Sequence, residues 1–334
     1  MNTDKNKELL WRTVPFAMAM LLLVLTGIPA SALFGKKETV SNAPAGAPIA
    51  QSMDVRVYRG IPYTGTLSAI SREEGTVTFS IVAEPSKGTV TLDGDTFVYT
   101  SAGSKSGTDS FTYAAADSAG NVSAPATVRI TIVRAKCGVT YDDMAGNAAY
   151  TAAVDLAEHG VLVGAQVGGK RFFEPERGVS RGEFIAMALV CAGIPADEQS
   201  VTGFCDDAEI PAWAKGCAVS ALQGGLIRGV STDEGVAFRA EEGVTLSEAA
   251  AVLNRLLRVT DVDLSGVPAE SAGAWSAQAV ANLESVRVLA SGSFAAGDYQ
   301  RTLTRAEAAQ LLSAAMTLVE RRRADEGLLA SLLS

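Results

Sequence analysis

A single histidine, His159, serves the whole 334-residue chain, and none of the four cysteines belongs to a Cys-x-x-Cys pair. With that one histidine at a helix end and no recognisable nucleophile motif, neither Ser-His-Asp nor Cys-His catalysis is expected, and without a Cys-x-x-Cys pair neither metal nor thiol redox chemistry is. Aromatic residues make up only 6% of the chain, and 37 acidic residues against 28 Lys and Arg give a net charge of −9. No basic face for nucleic acid is visible. EF-hand spacing and dense acidic clusters are also missing, so Asp93, Asp95, Asp109 and Asp117 read as turn residues and solvated charges rather than calcium ligands. No metal, cofactor or enzymatic activity is expected.

What the chain does have begins at its N-terminus. Lys5, Lys7 and Arg12 precede an apolar stretch from Thr13 to Ile28, followed by Ala30-Ser31-Ala32, the small-x-small pattern a signal peptidase reads. Residues 1–32 are therefore expected to be a signal peptide and the protein to be secreted, with no stable membrane span after cleavage. A retained anchor is the competing reading. The apolar stretch is shorter than the roughly 20 residues needed to cross a bilayer. Residues 33–50 have linker composition, small and Pro-rich.

From 51 to 134 the pattern changes to alternation. Val55 and Val57, then 76–82, 88–92, 96–99, 110–113 and 126–132, read as about seven short strands separated by turn signals, which suggests an all-β sandwich. Phe97, Tyr99, Phe111 and Tyr113 lie along these strands, and one aromatic of each pair is expected to face the core. Pro85 to Leu92, Phe97 to Thr100 and Gly107 to Tyr113 resemble the bacterial Ig-like or cadherin-like repeats of surface proteins.

The second half repeats a different device. Ser180 with Glu183, Thr245 with Glu248, and Thr304 with Glu307 each place a hydroxyl three residues before a glutamate and an apolar run, the signature of a helix-capping box. The glutamates are 65 and 59 residues apart, and upstream features recur in step. Each box is preceded by an aromatic (Tyr150, Trp213, Trp275), a helical apolar pattern, a Gly-rich turn and a bulky segment containing Phe173, Phe238 or Tyr299. One unit is helix, loop, helix, repeated three times.

These features resemble the S-layer homology (SLH) family, whose repeats carry a Trp-bearing helix, a Gly-Ile-Ile-x-Gly-like turn and a Thr-Arg-Ala-Glu helix start. Leu303 to Glu307 matches that last motif, while Val179 to Glu183 and Val244 to Glu248 are variants. The resemblance implies an all-α three-repeat SLH helical bundle, with repeats at 137–195, 201–259 and 264–320 and a helical extension packing on the bundle at 321–334. A membrane-surface role is the competing reading for the extension.

Four cysteines in an exported chain suggest two disulfides. Cys217 lies four residues after Trp213 and could reach Cys205, leaving Cys137 to pair with Cys191; a buried free thiol at Cys191 is the other reading. For ligand contact, Arg181 and Arg305 stand at the first helical position after the cap, where free N–H groups and a guanidinium would make an anion site beside Ser180 and Thr304. Arg228 in a Gly-rich turn is a further candidate.

The SLH resemblance implies that Arg181 and Arg305 contact the acid group of a secondary cell-wall polysaccharide, often pyruvylated, held in grooves between repeats. Trp213 and Trp275 would stand beside those grooves, either packed into the core or stacked on a sugar. Leu246 replaces the arginine in the second unit, and the third lacks the Asp pair seen at Asp142-Asp143 and Asp206-Asp207, so one or two working grooves are expected. The function expected is non-covalent anchoring to the cell wall at the cell surface. Adhesion through the sandwich, with other surface proteins as partners and the repeats as scaffold, is the alternative.

Overall fold

Alternating side chains between Met53 and Val133 build two packed sheets in the computed structural model, which describes residues 46–71, 75–103, 106–265, 275–290 and 292–333, the last eight as backbone. The leader at 1–32 and most of the 33–50 linker lie outside the described residues. Strands β2 (Met53–Tyr58), β9 (Ala126–Val133), β8 (Gly107–Ala116) and β5 (Thr78–Ala83) form one sheet in that order. Its companion is β3 (Tyr63–Thr66), β7 (Thr96–Ser101) and β6 (Gly88–Asp93). The sequence pattern missed β3, whose Tyr63 and Gly65 break the alternation. Two residues read as linker, Ile49–Ala50, form β1 against β4 (Ala69–Ile70).

The aromatics depart from expectation in a simple way. Residues two apart share a face of a strand, so Phe97, Tyr99, Phe111 and Tyr113 all point inward and are at most 1% exposed. With Val57, Val128, Ile130 and Ile132 they form the sandwich core. The Tyr99 hydroxyl donates to Asp109 at 2.9 Å. Burial alone would raise the Asp109 pKa, but the N–H groups of Ser86 and Lys87 and that hydroxyl hold it below the usual carboxylate value. Asp117 instead closes its own turn, accepting from the N–H groups of Ala119 and Asn121.

Three helical units follow. The first is α1 (Tyr150–Glu158) and α2 (Arg181–Ala192), the second α3 (Ala212–Gln223) and α4 (Leu246–Leu257), the third α5 (Ala277–Ser285), the short α6 (Ser293–Ala296) and α7 (Arg305–Leu333). The all-α expectation needs one correction. Small hairpins, β10 (Ala165–Val167) with β11 (Lys170–Phe172) and β12 (Val230–Thr232) with β13 (Gly235–Ala237), join the helices of the first two units. Each hairpin starts from a glycine that no other residue replaces well. Gly164 and Gly229 are left-handed, at φ 75° and 76°, and a Cβ would come within 2.4 Å of the Phe172 carbonyl or 2.3 Å of Val236. Asp143 and Asp206 fasten the far end of each hairpin, accepting N–H bonds from Phe173 and Glu174 and from Phe238 and Arg239.

The units close on one another in a ring. Val179 N–H donates to Leu303 O, Leu303 N–H to Val244 O, and Val244 N–H to Val179 O, at 2.9–3.1 Å. Three equivalent positions, one per unit, thus bond cyclically, each two residues before the start of α2, α4 or α7. Ser180 and Thr245 make complete capping boxes with Glu183 and Glu248. Thr304 and Glu307 exchange the same pair of bonds at the start of α7. The extension at 321–334 continues α7 without a break to Leu333, and Arg322 donates to the Leu257 carbonyl at the end of α4.

The sandwich is not a separate bead. Tyr58 and Ile61, at its end, are buried within the apolar core of the helical units. Beside them Asp155, 3% exposed in its side chain and in the middle of α1, is ion-paired with Arg56. It also accepts from the hydroxyls of Tyr58 at 3.0 Å and Ser313 at 2.8 Å. One buried carboxylate therefore ties β2, α1 and α7 together. Burial, and then the Asp155 charge, push the Tyr58 phenol pKa far up.

Both disulfides expected from the sequence are absent: Cys137, Cys191, Cys205 and Cys217 are all free thiols. Their surroundings differ. The Cys205 sulfur lies 3.7 Å from the Thr232 hydroxyl, and that of Cys137 accepts from the Val139 N–H. Cys191 and Cys217 instead pack against the helical core. Burial raises the Cys191 pKa to about 12, so this thiol is chemically quiet. Among the described residues, no helix is long and apolar enough to cross a membrane.

Candidate functional site

The N–H groups at the starts of α2, α4 and α7 are already occupied. Arg181 and Gly182 donate to the carbonyls of Glu242 and Ala240, Leu246 and Ser247 to those of Arg301 and Tyr299, and Arg305 and Ala306 to those of Arg177 and Pro175. Each helix start is thereby inserted into the neighbouring unit. The free donors that the sequence reading placed there are spent on closing the ring.

The two arginines follow the same logic. Arg181 and Arg305 are 9% and 8% exposed. Arg181 lies over the Phe238 ring at 5.8 Å and is ion-paired with Glu248. Arg305 lies over Phe173 at 5.9 Å, donates to the Phe173 carbonyl at 2.7 Å and meets Glu174 at 3.3 Å. Neither stands on the open surface as expected. At the third junction Leu246 replaces the arginine, and the matching backbone bonds put Gly297 where the other units have Phe173 and Phe238. Cation and ring are lost together, which marks the pair as an inter-unit pin. One atom breaks the pattern: Arg181 Nε is buried and has no hydrogen-bond partner among the described residues.

An open groove lies beside the junction of units one and two. Arg177, Val179, Ser180, Glu183, Trp213 and Glu241 contribute to its lining, around a volume of 470 Å³. Trp213 is 53% exposed. Its indole reaches the start of α2, where a Cβ on Gly182 would meet it at 3.4 Å, so the glycine lets the ring lie close to the helix. Arg177 is ion-paired with the capping Glu183 and keeps 46% of its side chain in solvent. The groove therefore offers a flat apolar ring, a reachable guanidinium and the Ser180 hydroxyl within one concavity.

Sequence reasoning missed Arg177 and its counterpart Arg301, which pairs with Glu307. A signal existed. Both arginines stand six residues before the box glutamate. Other candidates fall elsewhere: Trp275 is 63% exposed but lines neither this groove nor the larger cleft beside the Ig domain. Arg228 is exposed beside Arg255, whose pKa is lowered first by burial and then by that charge. Thr304 remains bound to its own cap. Among the described residues no group of three or more His, Cys, Asp or Glu side chains is arranged to hold a metal ion.

Residues 45–131 match the family described as bacterial Ig domain. The N-terminal module is a bacterial Ig domain. No curated protein matches the chain. Solved structures similar to part of it include fibronectin(III)-like modules of Clostridium thermocellum CbhA, at 17% identity and TM-score 0.18, covering 29% of this chain and 96% of that one. Another is the titin M3 domain, at 12% and 0.18, covering 26% and 98%. An endo-fucoidan hydrolase of glycoside hydrolase family 107, at 17% and 0.24, shares 30% of this chain and 16% of its own. The chain spans under a fifth of the first relatives of this kind.

A second, larger cleft separates the Ig domain from the helical units. Its volume is 830 Å³, and its walls come from β2 and β3 on one side and from α1, α7 and the turn after α5 on the other. It takes in Arg301 and Glu307, the counterparts of Arg177 and Glu183, so the Ig domain stands over the groove between units three and one.

Proposed function

We propose that this is a non-catalytic cell-surface protein held non-covalently on the cell wall, its helical units acting as SLH-like repeats that bind an anionic, pyruvylated-type secondary polysaccharide. The observation that carries this reading is the groove at the first junction, where an exposed indole and a half-exposed arginine face the same concavity. Sugar rings stack on indole faces, and a guanidinium takes a carboxylate through paired, charge-assisted bonds.

The motif resemblance at Leu303 to Glu307 and the ring of three units support the SLH assignment. In this reading Arg181 and Arg305 position the units, and Arg177 with Trp213 meets the polymer. An acidic protein repels an acidic polymer at long range, which makes the local cation necessary and the binding salt-sensitive. Co-sedimentation of the full chain with purified sacculi tests this. Trp213→Ala and Arg177→Ala should each lower bound protein about tenfold, and sacculi stripped of secondary polymer should bind none. Equal binding by all variants would overturn it.

A further inference from the structure

We infer that the cleft between the Ig domain and the helical units is a second ligand site, taking a short carboxylated oligosaccharide. The first observation is an exception within the repeat. The turn that ends the first helix of each unit bonds identically, Val161, Leu226 and Val288 donating to Leu156, Ala221 and Leu283. In the first two units the residue before that donor is a left-handed glycine, Gly160 or Gly225, each at φ 68°. In the third it is Arg287, left-handed at φ 60°. A side chain is strained in that region and glycine is not. The one unit that departs from glycine places a cation on the wall of the cleft.

Charge is the second observation. Four arginines and four carboxylates line the cleft. Asp155 is taken by Arg56, Glu307 by Arg301, and Asp54 faces Arg129 at 3.5 Å. Glu284 is spent on the N–H groups of Gly292 and Phe294. Arg287 and Arg321 are left with neutral acceptors, the Gln51 side chain and the Asp54 carbonyl, and neither has an ion pair among the described residues. Two uncompensated guanidiniums therefore face one cavity.

The remaining lining sets the ligand class. Gln51, Tyr63, Thr64, Thr66, Gln310 and Thr317 supply an aromatic ring and polar groups for a hydroxyl-rich partner. The volume lies within the roughly 300–1,000 Å³ usual for small-ligand sites. A carboxylated sugar of a few rings satisfies the cations, the hydroxyls and the ring at once. This site is independent of the wall-anchoring groove, with which it shares no residue.

Titration calorimetry of the full chain with tri-galacturonate tests it, with maltotriose as the neutral analogue and tetraglutamate as an acidic peptide. Wild type should bind tri-galacturonate and should bind both comparison ligands at least about tenfold more weakly. Arg287→Gly, which restores the residue of the other units, should lose about tenfold in affinity while melting no lower. Arg321→Gln should lose a similar factor. Trp213→Ala, which lies outside the cleft, should be unaffected. No binding by wild type, equal binding by Arg287→Gly and Arg321→Gln, loss in Trp213→Ala, or equally tight binding of tetraglutamate would each overturn the proposal.

Discussion

Arg181 shows how a residue can be correctly noticed and wrongly placed. Its position after a capping box was visible in the sequence, but its burial against Phe238 and Glu248 comes from a unit more than fifty residues away, which no local pattern encodes. Because the ion pair is largely buried, Arg181→Ala should cost about 1.5–3 kcal/mol, nearer the lower figure since Glu248 is a quarter exposed. Denaturant unfolding checks this. Asp207 gives a pH test. The Lys215 ammonium, and then the Thr202 N–H and hydroxyl, lower its pKa to about 2. Its stabilising contribution is therefore present above the unfolded-state value near 4 and lost as pH falls toward 2. The melting-temperature gap between wild type and Asp207→Asn should be constant at neutral pH and close across that acidic window. A gap independent of pH would contradict the assignment.

At the scale of elements, capping boxes, the repeat period and the strand alternation were all legible, because each is a local device with a fixed spacing. The hairpins β10-β11 and β12-β13 were not. Three-residue strands carry too little alternation to register, and their necessity lies in Gly164 and Gly229, where backbone and ring atoms leave no room for a Cβ. Gly229→Ala should therefore destabilise by about 2–4 kcal/mol, combining left-handed strain with overpacking. Gly225→Ala, with open space around it, should lose only about 1 kcal/mol. Equal losses in the two variants would show that close approach is not what fixes Gly229. The cysteine pairing failed for a related reason: sequence distance along a helix says which face a thiol occupies, not which partner that face meets. Ellman titration of the denatured, unreduced protein should find all four thiols, with Cys191 the slowest to react in the native state.

Across the whole molecule, the sequence shows a sandwich followed by helical units, and the structure packs the two against each other. Asp155 is the residue responsible, a carboxylate set among the apolar positions of α1 that meets Arg56 and Tyr58 from the Ig domain and Ser313 from α7. A lone Asp on an apolar helix face was the available signal. Asp155→Ala should leave Arg56 without its main partner and separate the melting of the Ig domain from that of the helical units, where wild type should melt in one calorimetric transition. The Ig domain also covers the groove between units three and one, and the open groove between units one and two is the one proposed for a wall polymer. The most direct test is co-sedimentation of the full chain with sacculi, comparing wild type, Trp213→Ala and Arg177→Ala at low and high salt. Polymer-dependent binding that falls about tenfold in each variant and weakens with salt supports wall anchoring through the first groove. Binding that ignores both residues, or no binding by the folded wild type, would contradict it.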